Sequence, residues 1–286
     1  MAKILLIQPN KWGRGITSIW IPSHAAALKN AGHDVTLFDC TFYKDWAFNE
    51  IQYNTKNEQY APTDYLNHIK FNKNNIFKDL QMKIDSFDPD IIFCSGLSSH
   101  IHGEGEYVNI QYGNELLKNI NTNAIKIGGG LQPTAKPEIL YEKFSNLDYF
   151  IGGESELTLV ELANKKLDIK NFEETKGLIK KNNGKTIVNF PQEIISDMDK
   201  ISHYDYSVFE EQVFYRAYNG EVIKAVDYEL SRGCVYTCSY CVETTIQNYY
   251  GFNETTKTGV LKNAPSYLRN KSAKRAYEEI KNLYEK

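Results

Sequence analysis

The sequence has no apolar run approaching the roughly twenty residues of a membrane span, so none is expected. It has no surplus of positive charge. Lys and Arg number 33 against 36 Asp and Glu, a net charge of -3, which removes the electrostatic footprint expected of a nucleic-acid binder. Cysteines are few, and five is an odd count that argues against a disulfide framework. Residues 1–4 lead straight into a strand-like run, so no targeting segment is expected, and the reading by default is a cytoplasmic protein. The 42% of apolar residues is enough for a packed core.

What is present is an alternation. Residues 4–8, 34–39, 90–94, 124–128 and 147–151 are short apolar runs of strand length. Residues 22–30, 76–87, 107–120, 137–144 and 155–165 carry helical spacing or helix-start signals between and after them. Strand-helix units with continuous apolar strands predict an α/β fold, a Rossmann-like, doubly wound parallel sheet over residues 1–165. Cys40 and Cys94 end apolar runs and are read as buried, inert thiols.

A ligand on such a sheet lies across the carboxyl ends of the strands. Ser95, Ser98, Ser99 and His100 follow the third strand, Gly129, Gly130 and Thr134 the fourth, and Gly153 and Glu154 the fifth. Glycines there let backbone amides approach a ligand, and hydroxyls donate to it; tight turns alone would also call for glycine. No G-x-G-x-x-G follows the first strand, so a dinucleotide site is disfavoured.

Residues 166–225 read as a connector. It holds a β-hairpin over 177–189 around Asn183-Gly184, and a polar, solvated link over 191–205. Residues 228–231 then read as a strand, residues 234–241 as its loop, and residues 273–284 as a helix with apolar positions at Ala276, Ile280 and Leu283. That loop carries Cys234, Cys238 and Cys241 in C-x3-C-x2-C spacing, with Ser231, Arg232 and Gly233 before them and Tyr240 between the last two. Three thiolates can hold three irons of a cubane and leave the fourth open. Structural zinc takes four ligands, and no fourth Cys or His follows at ligand spacing.

The cysteine loop with its flanks resembles that of the radical S-adenosylmethionine (radical SAM) superfamily. The glycine and hydroxyl loops ahead of it resemble the cobalamin (B12)-binding domain fused to one branch of those enzymes. The order, domain then cluster loop, covers the whole chain. The resemblance implies three cofactors. A [4Fe-4S] cluster would sit on Cys234, Cys238 and Cys241, and S-adenosylmethionine on its open iron with Tyr240 close by. Cobalamin would be held by Ser95, Ser98, Ser99, Gly129, Gly130, Thr134, Gly153 and Glu154, its nucleotide tail threading between these loops.

The implied reaction is radical-based methyl transfer to an unactivated centre of a small-molecule substrate, with ring formation or rearrangement in some relatives. An electron donor would reduce the cluster. There is no Asp-x-His-x-x-Gly, as is common in this branch. His33 lies in the turn before the second strand, at the wrong sheet edge, and is read as a surface or turn histidine. The first loop, residues 9–13, and His100 are candidates for the lower cobalt face, and a polar loop residue without special role is preferred to either.

Residues 226–286 would be the first βα unit of an incomplete radical SAM barrel. The expectation is therefore the front part of an enzyme, with a further chain as one source of the rest of the barrel. The alternatives are half of a split enzyme and a non-catalytic corrinoid-binding module.

Overall fold

The computed structural model describes residues 1–11, 17–46, 63–95, 104–166 and 168–285. Its centre is a seven-stranded sheet of order β2-β1-β3-β4-β5-β6-β7. The strands are β1 (Lys3–Gln8), β2 (Asp34–Asp39), β3 (Ile91–Ser95), β4 (Ile125–Gly129), β5 (Tyr149–Ile151), β6 (Leu178–Asn182) and β7 (Lys185–Val188). The first five pair in parallel, in register Ile4 to Val35, Ile4 to Ile91, Ile91 to Ile125 and Ile127 to Tyr149.

Helices flank the strands: α1 (Trp20–Asn30), α2 (Ile76–Phe87), α3 (Glu104–Lys118), α4 (Leu131–Ala135), α5 (Leu140–Lys143), α6 (Glu156–Asn164) and α7 (Ile169–Glu173). The apolar runs are continuous because both faces of the sheet are covered. Ile4, Leu6, Phe93 and Ile127 pack with Trp20, Leu28 and Leu159 on one side. Leu5, Ile7, Ile92 and Phe150 pack with Leu80, Ile84 and Leu117 on the other. Cys40 and Cys94 are fully buried among them, and burial pushes the Cys94 thiol up to about 12.

Two expectations for the connector change. The hairpin forms, with Asn183 and Gly184 both at positive φ, but it joins the main sheet: β6 pairs antiparallel with β5, Phe150 to Ile179 and Ile151 to Leu178. The reason is that Leu178 and Ile179 are apolar and find the open edge of β5, where both become fully buried.

The stretch read as a polar link is solvated only in part, with Glu193, Ser196, Asp197, Lys200 and His203 exposed. Met198 and Ile201 are buried there, and Tyr206, Phe209 and Val213 follow them down onto the α1 face of the sheet. A second hairpin, β8 (Tyr215–Tyr218) and β9 (Glu221–Lys224), turns at Asn219 and Gly220. It carries the same Asn-Gly signal, but the residues around it are too mixed to read as strands.

The cysteine region is built differently. Where the sequence suggests a strand over 228–231, only β10 (Ser231–Arg232) forms, and it pairs antiparallel with β11 (Arg269–Asn270). Between them lie the cysteine loop, α8 (Glu243–Tyr249) and α9 (Ala264–Tyr267). α10 (Ala273–Tyr284) follows, capped by the Ser272 hydroxyl accepting from the Arg275 amide at 3.1 Å. Ala276 of this helix is buried, whereas Ile280 is 51% exposed. A short antiparallel ladder is thus what the structure shows where a parallel barrel strand is expected. Among the described residues no helix is long and apolar enough to cross a membrane.

Candidate functional site

The carboxyl edge of the sheet and the root of the cysteine loop meet at one cavity of about 270 Å3. The sheet contributes Ser95 at the end of β3, Gly130 and Thr134 after β4, and Gly153, Glu154, Ser155 and Glu156 after β5. Helix α1 contributes Trp20 and His24, and the loop root contributes Ser231, Arg232 and Gly233. Five of the residues assigned to cobalamin from the sequence, Ser95, Gly130, Thr134, Gly153 and Glu154, are therefore brought together. Gly129 sits behind them, where a Cβ would meet the Phe93 ring at 2.6 Å. Ser98, Ser99 and His100 lie outside the described residues, as do Trp12 and Gly13 of the first loop.

The polar groups of the turns are largely engaged with one another. The Gly153 amide donates to the Thr134 hydroxyl at 2.7 Å, and the Glu154 amide donates to the Tyr250 hydroxyl at 2.5 Å. Gly153 adopts φ +73°, and a Cβ there would collide with the Tyr250 hydroxyl, so the group approaching this glycine is a tyrosine from just beyond α8. The Glu154 carboxylate is held by Arg269 at 2.5 Å and by Arg232 at 3.4 Å.

Arg232 is the junction. Its guanidinium, 11% exposed, reaches Glu156 at 2.6 Å, Glu229 at 2.7 Å and Glu154 at 3.4 Å. Burial alone would push the Glu156 carboxyl up, but the Arg232 guanidinium, with a 2.7 Å bond from the Ser23 hydroxyl, holds it well below the usual carboxylate range. His24 is shifted the other way, since burial lowers its pKa more than Glu156 raises it. The imidazole is therefore neutral. Its Nδ1 lies 2.7 Å from the Trp20 carbonyl, which can only accept, so Nδ1 carries the proton. Nε2 then accepts from the Ser155 hydroxyl at 2.7 Å.

The cysteine loop is shaped by its backbone and forms no disulfide; the Cys234 sulfur accepts from the Tyr236 amide at 3.5 Å. Gly233 takes φ +88°, and a Cβ there would strike the Tyr267 carbonyl, so the position calls for glycine. Gln247, fully buried on α8, donates to the carbonyls of Cys234 and Tyr236 at 2.9 and 3.0 Å. The Thr244 hydroxyl donates to the Cys238 carbonyl at 3.0 Å. All three thiols are free; Cys234 and Cys238 are partly exposed and Cys241 is exposed. Tyr240, assigned to cofactor contact, is 91% exposed, and its hydroxyl is raised in pKa by bonding to Cys238.

Among the described residues no group of three or more His, Cys, Asp or Glu is gathered as around a bound metal. The donor chemistry nonetheless fits an iron–sulfur cluster: three soft, accessible thiols lie on one loop held by Gln247 and Thr244, and no fourth Cys or His follows them at ligand spacing in the sequence. For a corrinoid, the fitting observation is the cavity edge, where Gly130 and Gly153, both at positive φ, stand beside Ser95 and Thr134.

Other expectations meet mixed outcomes. His33 is in the turn before β2, as read, but is buried rather than on the surface, because its Nδ1 accepts from the Ala2 amide at 3.1 Å. It stays at the amino-terminal sheet edge, away from the cavity. Asn10 of the first loop donates to the Thr41 hydroxyl at 3.0 Å, and the Lys11 ammonium lies 4.3 Å from the Trp46 ring centre. Arg269, Tyr250, Gln247, Trp20 and His24 are site residues that the sequence reading misses. Ser23-His24 on an otherwise apolar helix is the one signal that could have flagged any of them.

No family model matches the chain. Curated relatives include the anaerobic magnesium-protoporphyrin IX monomethyl ester cyclase of Cereibacter sphaeroides, 25% identical over 84% of this chain and 34% of the relative. An uncharacterized methyltransferase of Pyrococcus horikoshii is 28% identical over 58% of this chain and 34% of the relative. The radical S-adenosylmethionine methyltransferase TsrM from Kitasatospora setae, solved with cobalamin and a [4Fe-4S] cluster bound, superimposes with TM-score 0.57 at 19% identity, over 99% of this chain and 46% of TsrM. The cobalamin-dependent S-adenosylmethionine radical enzyme OxsB, solved with aqua-cobalamin and S-adenosylmethionine bound, gives TM-score 0.51 at 16% identity, over 99% of this chain and 31% of OxsB.

The chain has the fold of cobalamin-dependent radical SAM enzymes. The family resemblance read from the sequence is thereby matched at the level of the fold. The chain spans about a third of the length of the curated relatives it matches.

Proposed function

We propose that this chain carries the cobalamin and cluster sites of a cobalamin-dependent radical SAM enzyme, and that the enzyme methylates an unactivated centre of a small molecule. The carrying observation is the shared cavity, where Ser95, Gly130, Thr134 and Gly153 of the sheet edge face Arg232 and Gly233 at the root of the cysteine loop. Cys234, Cys238 and Cys241 would hold a [4Fe-4S] cluster with S-adenosylmethionine on it, and the sheet edge would hold the corrinoid. When bound, the cluster supplies the electron that cleaves S-adenosylmethionine, and the corrinoid supplies the transferable methyl group.

The protein's part is placement. Arg232 fixes the loop root against the turn after β5 through Glu154 and Glu156. Gln247 and Thr244 hold the loop backbone so that its thiols stay available. His24, neutral and buried, stacks on Phe93 with ring centres 5.2 Å apart and closes the cavity's inner wall. The substrate, the electron donor and the rest of the barrel belong to the same proposal. Ring closure is the competing outcome, since the cyclase relative aligns over more of this chain than the methyltransferase does.

Anaerobic reconstitution with iron and sulfide tests the cluster. The expected result is a brown protein that bleaches on reduction, lost in Cys234→Ala, Cys238→Ala and Cys241→Ala. A colourless protein with bound zinc overturns the cluster assignment. Hydroxocobalamin titration tests the second cofactor, and absence of binding overturns that half.

A further inference from the structure

Gln247 is a buried amide used on one side only. Its side chain is fully buried, and its Nε2 donates to the carbonyls of Cys234 and Tyr236 at 2.9 and 3.0 Å. Among the described residues its Oε1 is buried without a partner. An unpaired buried acceptor is costly, so a side chain held in that state calls for a reason in its other half. That half grips the loop between the first two cysteines.

The two gripped carbonyls flank one peptide group, the one joining Val235 to Tyr236. This middle peptide is held from the opposite side. Its carbonyl, on Val235, accepts from the Leu261 amide at 2.9 Å. In a planar trans peptide the N–H points away from the carbonyl. The Tyr236 N–H is thereby turned away from Leu261, and it donates to the Cys234 sulfur at 3.5 Å. Thr237 continues the clamp, its amide and its hydroxyl both donating to the Gly259 carbonyl at 3.0 Å. In the antiparallel bridge of Tyr236 with Val260, the ladder bonds come from Leu261 and Thr237, and the Tyr236 N–H is left for the sulfur.

Hydrogen bonds to the sulfurs are among the levers that set the potential of an iron–sulfur cluster. Reduction adds negative charge that the ligating sulfurs share, so a donor to a sulfur favours the reduced state. We infer that Gln247 is a positioning residue that raises the cluster's reduction potential, by fixing the loop backbone from which the Tyr236 N–H donates to the Cys234 sulfur. The inference rests on the cluster reading above and deepens it. Gln247 acts through the backbone, since its own bonds go to carbonyls.

The test is a redox titration, followed by electron paramagnetic resonance, of the chain reconstituted anaerobically with iron and sulfide. Gln247→Met keeps an unbranched side chain of similar length and removes both bonds. Tyr236→Pro removes the N–H itself, at a position where the ladder does not use it. Each is expected to move the midpoint potential in the negative direction by about tenfold in the reduction equilibrium, about 59 mV for one electron. The double variant should go no further than the larger single shift, because both changes remove the same bond. Additive shifts overturn the inference. An unchanged potential in Gln247→Met makes the residue a packing residue only and overturns it, leaving the cluster reading standing. A Gln247→Met protein that folds but holds no cluster places the residue in cluster retention and also overturns it. Wild type that forms no cluster overturns the cluster reading and the inference together.

A second measurement leaves Gln247 intact. With 15N-tyrosine incorporated, pulsed electron paramagnetic resonance of the reduced wild type should show coupling to a tyrosine amide nitrogen. That coupling should vanish in Tyr236→Phe, which keeps the amide without the label and should keep the wild-type potential. Identical spectra in the two proteins overturn the inference.

Discussion

The parallel sheet and the cysteine region are held together by different forces. In the sheet, Ile4, Leu5, Leu6, Ile7, Ile91, Ile92 and Phe93 are all fully buried, and the strands are organised by apolar contact on both faces. The cysteine region has few such residues. It is fastened to the sheet by charges: Arg232 to Glu154 and Glu156, and Arg269 to Glu154. Its last helix is anchored by Lys271 to Glu279 at 2.7 Å, with the lysine side chain fully buried. Apolar burial tolerates small shifts, whereas a buried ion pair is worth having only if its geometry is kept. The cluster loop is thus fixed in orientation relative to the sheet edge by interactions that penalise misplacement.

The largest effect should come from breaking the charged fastening. Arg232→Ala leaves Glu156 and Glu229 facing a buried site without their counter-charge and should cost about 3–5 kcal/mol in chemical denaturation. Removing the Glu156 charge as well, in Arg232→Met with Glu156→Gln, should recover part of that loss, with Glu229 still lacking its counter-charge. If the double variant is as unstable as the single, the pair is not the fastening described. In the sheet, Leu6→Ala should cost about 2–5 kcal/mol, because its site is closed on both sides and cannot collapse. The same kind of change at the half-exposed Ile280 of α10 should fall within about 0.5 kcal/mol.

Acid should act on the fastening before it acts on the apolar strands. His24 has a lowered folded pKa, so the stability linked to its neutral form is complete above its ordinary 6.5 and is lost as pH falls below it. Glu156 is lowered too; its contribution is complete above 4.5 and is lost as pH falls further. Asp39 works in the opposite sense. Burial, only partly offset by bonds from Thr41, raises its pKa to about 6, so its contribution is lost as pH rises through that value. Because Asp39 gains stability over the range in which His24 loses it, the His24 contribution is read as a difference: the melting temperature of wild type should fall relative to that of His24→Gln as pH drops below 6.5. Below 4.5 the loss at Glu156 should lower both. Parallel profiles of the two proteins between pH 7 and 4.5 would remove His24 from the account.

The smallest change tests what the glycine turn is for. Tyr250→Phe removes the hydroxyl that accepts from the Glu154 amide and should cost about 0.5–1.5 kcal/mol. If the turn also meets a corrinoid, the variant's hydroxocobalamin affinity should change along with its stability. A stability loss with unchanged affinity would make Gly153 a packing glycine alone.

Much of the sheet was legible because its strands are short, apolar and separated by helix-length segments. The 183–184 turn was legible because both positions need positive φ. That the hairpin adds to the sheet was not, since nothing local in Leu178 or Ile179 names β5 as partner. The antiparallel pairing of β10 with β11 was equally hidden, joining residues 231–232 to 269–270 across the whole cysteine loop. The site divides in the same way. The cysteines, glycines and hydroxyls announce themselves by spacing, while Arg269 meets Glu154 across 115 residues of chain with no pattern to mark it.

The sequence by itself determined the strand-helix alternation, the three-thiol loop and the set of turns at one sheet edge, because each is written in residue types at short spacing. Only the tertiary structure decided what those turns face. Folding placed Tyr250 against Gly153 and Arg232 among three glutamates. Such contacts depend on where distant segments come to rest, and local spacing carries no information about that.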